Sequence, residues 1–386
     1  MKIDAMVIRE DFYLINEKTL ENYFKSVFGH DLTISTSKPF SSSKIVVYPK
    51  INAIVTRTPS RKVLKYVFSE FNVRNNWPKF ILGKLYTSIC LLSFGLMATK
   101  TLRFHKRSPV GDNILIWPCN RKIRIFDFKN MIVDSIVKEG FTKKYFNSEL
   151  AFRLNSSYEF IPPILKHGEN WYRESILSGQ PLARIFDKNQ YKKSCDDAII
   201  YMKTIIEETI TYVDSVRYSN KLLQTVIELL GIAEERKKIT TGESIHRIAE
   251  LCSIKAKNLQ KKIPIAVSHG DLQSGNLWVD IDKKKTYIID WETNALRSIW
   301  YDPATLLLST RRYNGVLNMV NDFNTSNVKD AVLINDSCKD YNMESIIGIL
   351  VLEDIIFYLE DNLELPLDWG GDLIDNFGKQ LMRLNW

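Results

Sequence analysis

The chain has 386 residues, 45% of them hydrophobic and 25% charged, which excludes a disordered chain and allows a large core divided over two or three domains. Fifty-three Lys and Arg against forty-five Asp and Glu leave a net charge of +8, an excess that suits an anionic partner such as a nucleotide, a phosphorylated sugar or an acidic membrane surface. No basic block with interleaved aromatics marks a nucleic-acid interface, and five scattered cysteines without a CxxC pair (Cys90, Cys119, Cys195, Cys252, Cys338) exclude a disulfide framework and argue for a reducing compartment.

From the N-terminus, Asp4, Glu10 and Asp11 stand where a secretion signal needs an apolar run, so the expected location is cytoplasmic. Leu20, Tyr23, Phe24 and Val27 share one stripe of a helix over 19–28. Residues 44–48 and 53–56 read as strands parted by Pro49, and 62–71 as a second helix. No chemistry is visible here, and 1–110 is expected to be an N-terminal extension or subdomain. Its segment 78–105 is the most apolar part of the chain. No residue of 85–99 is charged, and Lys84 and Lys100 close the run. That is shorter than the about 20 residues a bilayer span takes. The readings left open are a buried or interface helix, a helix lying peripherally at the inner face of a membrane beside Lys100, Arg103, Lys106 and Arg107, and, last, a true transmembrane span.

From residue 112 the pattern turns to strands. Segments 113–117, 122–128 and 131–138 form an antiparallel meander, followed by a helix over 143–154 that contains Glu149 and by strands at 164–167 and 171–177. Ser178-Gly179-Gln180-Pro181 breaks the chain. Residues 190–262 are helical, with Ile199, Met202, Ile206 and Val213 on one face. Pro264 ends that part, and Tyr301-Asp302-Pro303 opens a second helical region that runs almost to Trp386. The expected parts are therefore 1–110, 111–180 and 181–386.

Between the two helical regions, 267–292 reads VSHGDLQSGNLWVDIDKKKTYIIDWE. Asp271 heads a loop, where a carboxylate can orient an attacking hydroxyl and accept its proton. Magnesium takes a few hard oxygens and leaves its other positions to waters and phosphates. Asn276 can curl back to such an ion, and Asp290, after the apolar Tyr287-Ile288-Ile289, adds a full negative charge. Gly270 and Gly275 permit the turns, and the spacing from Asn276 to Asp290 fits a β-hairpin with Asp282-Lys283-Lys284-Lys285 at its tip.

HGDLQSGNLWVD followed by IIDWE resembles the catalytic and metal-binding loops of the aminoglycoside phosphotransferase and choline kinase family, whose pattern is roughly HGDLHxGN and then IDxE/D. His269, Gly270, Asp271, Leu272, Gly275 and Asn276 match it. The resemblance covers about 112–310. It implies an α+β, protein-kinase-like two-lobe fold, with a small antiparallel sheet lobe that binds ATP and a large, mainly helical lobe that carries catalysis and the acceptor. Asp271 is then the base, and Asn276 and Asp290 hold Mg2+. Gln273 stands where the family usually has His; it keeps hydrogen bonding but carries no proton. His269 is expected to support the loop near Asp290. In the small lobe the family sets a strand lysine on the nucleotide phosphates and a helix glutamate on that lysine. Lys138 and Glu149 suit these roles, with Lys129 or Lys122 as replacements for Lys138. The turn 118–121 lacks glycine, so Arg121 or Lys122 would compensate by charge. WYRESILSGQPL resembles the strand and linker that hold adenine, through the backbone of Glu174, Ser175 and Ile176.

The expected activity is transfer of the γ-phosphoryl of ATP to a hydroxyl of a small molecule: a sugar, an amino sugar or aminoglycoside-like glycan, or an amino alcohol. Glu353, Asp354, Glu360, Asp361 and Glu364 either line a pocket for a cationic acceptor or form a solvated helix face. Two alternatives stand beside this reading. One is a catalytically silent nucleotide-binding protein, motivated by the missing glycine loop. The other is a kinase of a lipid-linked glycan, docked at a membrane through 78–105.

Overall fold

The computed structural model describes residues 3–29, 33–37, 44–69, 77–105, 109–237, 239–259, 262–323, 328–331, 341–364 and 369–384. Lys106, Arg107 and Cys338 lie outside them. The chain divides into two compact units, Met1–Asn155 with Pro162–Ser178, and Ser156–Ile161 with Gly179–Trp386.

Unit 1 begins with helices α1 (Ile3–Arg9) and α2 (Phe12–Phe28) and strands β1 (Ile34–Ser37), β2 (Ile45–Tyr48) and β3 (Ala53–Thr56). It continues through α3 (Arg61–Ser69), α4 (Trp77–Leu92) and β4 (Lys100–Phe104). Strands β5 (Ile114–Pro118), β6 (Lys122–Asp127) and β7 (Ile132–Val137) follow, then α5 (Lys144–Leu154), β8 (Lys166–His167) and β9 (Trp171–Ser175). All nine strands make one antiparallel sheet in the order β1-β4-β2-β3-β5-β6-β7-β9-β8. The meander, helix and strand pair expected over 113–177 are thus present. No boundary falls at residue 110, because Ile54 of β3 pairs with Ile116 of β5.

The sequence of the early strands explains this continuity. Val46 and Tyr48 belong to a core with α3 and α4, whereas Ile45 and Val47 belong to one with α1 and α2. A strand covered on both faces reads as an unbroken apolar run, as IVVY does. The stretch 78–105 departs most from expectation. Helix α4 stops at Leu92, and the chain then passes Phe94 and Gly95, both at positive φ (50° and 96°), and re-enters the sheet as β4. The Thr99 N–H donates to the Val47 carbonyl there. An uncharged run has the same composition whether it is helix or strand, so periodicity could not separate the two.

Buried charge at the end of β7 is paired. Lys138 Nζ, fully buried at the end of β7, donates to Glu10, which also takes Arg9 at 3.2 Å. Burial pushes the Lys138 pKa down, with Glu10 opposing. Glu10→Ala would leave that ammonium without its counter-ion and is expected to cost about 3–5 kcal/mol of stability, read as a lower midpoint in urea unfolding. Lys138→Met, which removes the charge together with its desolvation, is expected to cost less.

Unit 2 contains β10 (Gln180–Pro181), α6 (Lys188–Thr209), β11 (Thr211–Asp214), α7 (Ser215–Lys237), α8 (Gly242–Lys257) and β12 (Lys262–Ser268). After these come β13 (Leu277–Asp280), β14 (Lys285–Ile288), β15 (Ala295–Ser298), α9 (Tyr301–Leu307), α10 (Gly315–Asp322), α11 (Val328–Ala331), α12 (Met343–Leu363) and α13 (Trp369–Leu381). Its main core joins α7, α8 and α12 through Leu222, Val226, Ile245, Ala249, Ile349 and Leu352. Two short sheets lie in this helical unit. One is β10-β13-β14, and the other is β11-β12-β15, with β12 in the centre. β11 and β15 were not expected from the sequence. They hold β12 on both edges and so fix the strand from which 269–276 departs.

Candidate active site

The loop after β12 is shaped by its backbone. Gly270 sits at φ +85°, and a Cβ there would lie 2.4 Å from the Thr293 carbonyl oxygen, so only glycine fits. Asp302, in the first turn of α9, accepts the N–H groups of His269 (2.6 Å) and Gly270 (2.9 Å). The His269 carbonyl takes the Thr293 hydroxyl at 3.0 Å.

His269 itself is fully buried. Nε2 lies 2.9 Å from the Ile289 carbonyl, and Nδ1 accepts the Asp271 N–H at 3.2 Å. A ring nitrogen facing a carbonyl must carry the proton, and one facing an N–H must lack it, so the ring is the neutral Nε2–H tautomer. It braces the loop against the residue before Asp290 and has no nitrogen left to act as a base.

Three side chains converge on Asp271. Gln273 Nε2 donates to Oδ2 at 2.9 Å and Asn276 Nδ2 to the same oxygen at 3.0 Å, while Arg311 Nε reaches Oδ1 at 3.1 Å. Burial raises the pKa of Asp271, and the charge of Arg311 and the bond from Gln273 oppose it; the nearby negative charge of Asp290 raises it further. The hydrogen bond from Gln273 is one a neutral side chain can make, which is how the departure from His is accommodated.

Asn276 is bound twice into the same loop, since Nδ2 also donates to the Asp271 carbonyl at 2.8 Å. Its own carbonyl accepts the Ile289 N–H at 3.0 Å, which extends the β13–β14 ladder and brings Asn276 beside the residue preceding Asp290. Asp290 is left-handed, at φ 66° and ψ 57°. Such a conformation is uncommon for a residue with a side chain, and strained residues concentrate at functional sites.

Sequence reasoning missed two residues. Asp302 was read only as a helix start, and Arg311 was not singled out. Arg311 donates to Gly270 O at 2.9 Å, to the Tyr301 hydroxyl at 2.7 Å and to Asp354, and stacks 3.7 Å over the Phe357 ring. Burial alone would lower its pKa, but Tyr301, Asp354 and Asp271 hold it charged. The sequence offers no local signal for it, because its acidic partners, Asp271 and Asp354, lie 40 residues before it and 43 after it.

Two of the late acids are neither solvated nor open to a ligand. Glu353 is fully buried and accepts from Tyr218, the Ser298 N–H and the Ser298 hydroxyl, each at 2.6 Å, and Asp354 is held by Arg311. Glu360, Asp361 and Glu364 are half-buried.

In unit 1 the expected lysine–glutamate pair forms with a different lysine. Lys122 Nζ lies 2.5 Å from Glu149 Oε2, and Glu149 Oε1 accepts Arg153 (3.2 Å) and the Tyr172 hydroxyl (3.1 Å). Lys138 is committed to Glu10 and is not brought to Glu149. The 118–121 turn closes as a tight hairpin, with Cys119 N–H on the Lys122 carbonyl at 2.8 Å, and Arg121 stacks 4.3 Å over the Tyr145 ring. Glu174 and Ser175 lie in the β7–β9 ladder, the Glu174 carboxylate binds Arg153, and the Ile176 N–H donates to the Met131 carbonyl at 3.0 Å. The Ile176 amide is therefore spent on Met131, beside the β7–β9 ladder.

No family model and no curated relative matches the chain. Among solved structures it resembles an ethanolamine kinase of Plasmodium vivax, at 15% identity and a TM-score of 0.47 over 84% of this chain and 95% of that one. It also resembles a choline/ethanolamine kinase family protein of Mesorhizobium loti, at 13% identity and 0.48 over 70% and 88%. A third is the aminoglycoside phosphotransferase APH(3'')-Id of Streptomyces rimosus, at 14% identity and 0.42 over 64% and 93%. At identities this low and TM-scores below 0.5 the likeness carries no chemistry; that lies in the residues around Asp271.

Proposed function

We propose that the chain is a small-molecule kinase that moves the γ-phosphoryl of ATP to a hydroxyl of a sugar, amino sugar or amino alcohol. The observation that carries this reading is the convergence on Asp271: a carboxylate at the head of a clamped loop, aimed by three donors, with the Asn276 carbonyl bonded to Ile289, the residue before Asp290. Phosphoryl transfer asks little of a protein beyond such positioning and charge neutralisation.

Asp271 orients the acceptor hydroxyl and receives its proton as the new O–P bond forms and the bond from the γ-phosphorus to the bridging oxygen of ADP breaks. Oδ1 takes one donor where Oδ2 takes two, so Oδ1 has the greater capacity left for that proton. Asn276 and Asp290 fit a magnesium ion by their chemistry. The amide nitrogen of Asn276 is spent on Asp271, so its hard carbonyl oxygen is the atom it offers, and Asp290 offers a carboxylate. When bound, the ion would neutralise phosphate charge.

Lys122, oriented by Glu149, is the lysine we assign to the nucleotide phosphates in place of Lys138. Lys122→Met is then expected to weaken ATP binding about ten-fold or more, while Lys138→Met lowers Tm and leaves ATP affinity near that of the wild type. Isothermal titration separates the two, and the reverse pattern would return the role to Lys138. Because Glu353 and Asp354 are occupied internally, recognition of an amine on the acceptor does not run through them. The reading is tested by screening sugars, amino alcohols and aminoglycosides for ADP release. Acceptor-dependent release should appear in the wild type and vanish in Asp271→Asn; equal release in the two would overturn it.

A further inference from the structure

Helix α4 presents apolar side chains on both sides. Thr87, Cys90 and Leu91 are buried toward the sheet. On the other side Leu82, Leu85, Ile89 and Leu92 are exposed, and so are Phe94 and Leu96 in the turn that follows, with Leu92 at 70%, Leu96 at 67% and Leu82 at 63%. Single exposed leucines need no explanation, but six large apolar side chains clustered in one helix and its following turn mark a contact surface.

Positive charge is concentrated in the same part of the chain. Residues 44–107 hold thirteen lysines and arginines and one acid, Glu70. This stretch is therefore +12 in a chain of +8, and the remainder is −4. Several of these cations stand beside α4 and its turn. Lys50 Nζ lies 5.8 Å from the Tyr86 ring of α4, and the Arg57 guanidinium donates to the Phe94 carbonyl at 3.3 Å. Helix α3, which packs on α4, exposes Arg61, Lys62 and Lys65.

We propose that this face of unit 1 docks on an anionic bilayer surface, with the leucines entering the boundary between headgroups and acyl chains and the cations meeting the headgroups. Exposed aliphatic chains beside a basic, almost acid-free segment are the two signals that together give stable peripheral binding. Nucleic acid would answer the charge but has no use for the leucines. Among the described residues no helix is long and apolar enough to cross a membrane, so α4 would lie along the surface.

The full chain is floated with vesicles of phosphatidylcholine alone and of equal parts phosphatidylcholine and phosphatidylglycerol, at low and high salt. The wild type should float with the anionic vesicles only, and less so at high salt. Substituting Leu82→Ser, Leu85→Ser and Leu92→Ser together should weaken partitioning about ten-fold or more with little change in Tm, since all three are exposed. Lys62→Glu with Lys65→Glu should weaken it in the same direction. No flotation of the wild type, or flotation that the serine substitutions leave unchanged, would overturn the proposal. So would a dimer in sedimentation that those substitutions dissociate, because the face would then belong to a second copy of the chain.

Discussion

Asp271→Asn is expected to lower kcat roughly 10²–10⁴-fold, the range a positioned general base contributes, with KM for ATP nearly unchanged. The side chain is half-buried and not structural, and desolvation already works against its charged form. The asparagine keeps the shape and one acceptor oxygen, which serves Gln273 and Asn276 as Oδ2 does; its NH2 then faces Arg311 Nε, whose bonds to Gly270, Tyr301 and Asp354 remain, while the clamp from Asp302 acts on backbone groups that the substitution leaves in place. Tm should therefore stay close to that of the wild type. Kinetics with saturating ATP, alongside a melting curve, checks both halves. A large loss of Tm would show that the residue holds the fold together and would remove the ground for calling it the base.

Arg311→Met is expected to cost about 3–5 kcal/mol of stability and to lower kcat as well. The guanidinium ties Asp271, the Gly270 carbonyl, Tyr301 and Asp354 into one buried cluster. Without it Asp354, almost wholly buried, keeps the Tyr301 hydroxyl at 3.4 Å as its one hydrogen-bond partner among the described residues. Arg311→Lys keeps the charge but not the planar fork of donors, so it should recover more of the stability than of kcat. Adding Asp354→Asn to Arg311→Met should restore part of the stability. The pH profile carries a further sign. Burial raises the pKa of Asp271 and Arg311 opposes this; removing the cation raises it further, so the acid limb of kcat/KM should move to higher pH. An unmoved limb would mean that Arg311 braces the loop without acting on the charge of Asp271.

What was legible in the sequence is what is local in the chain. The loop 269–276 and the hairpin to Asp290 are fixed by glycines, a tight turn and a short apolar strand, all within a few residues of one another. The meander β5–β7 was legible because strand and turn residues alternate at short range. What could not be read depends on distant partners. Lys138 is the nearer lysine to Glu149 along the chain, yet the end of β7 meets Glu10 of the N-terminal segment, and Lys122 at the start of β6 meets Glu149 instead. Glu10 was visible only as a charge that a signal peptide would not contain. The clamp of Asp302 and the cluster around Arg311 join elements that share no local pattern. The same holds for the first four strands, which looked like a separate extension until the pairing of β3 with β5 placed them in the sheet.

The proposed magnesium–nucleotide centre in 267–292 is tested by calorimetric titration of ATP, with and without Mg2+, into the wild type and Asp290→Ala. Mg2+ should strengthen ATP binding in the wild type, and Asp290→Ala should abolish this gain while the variant still folds. ATP binding with the same magnesium dependence in both proteins would remove the metal assignment.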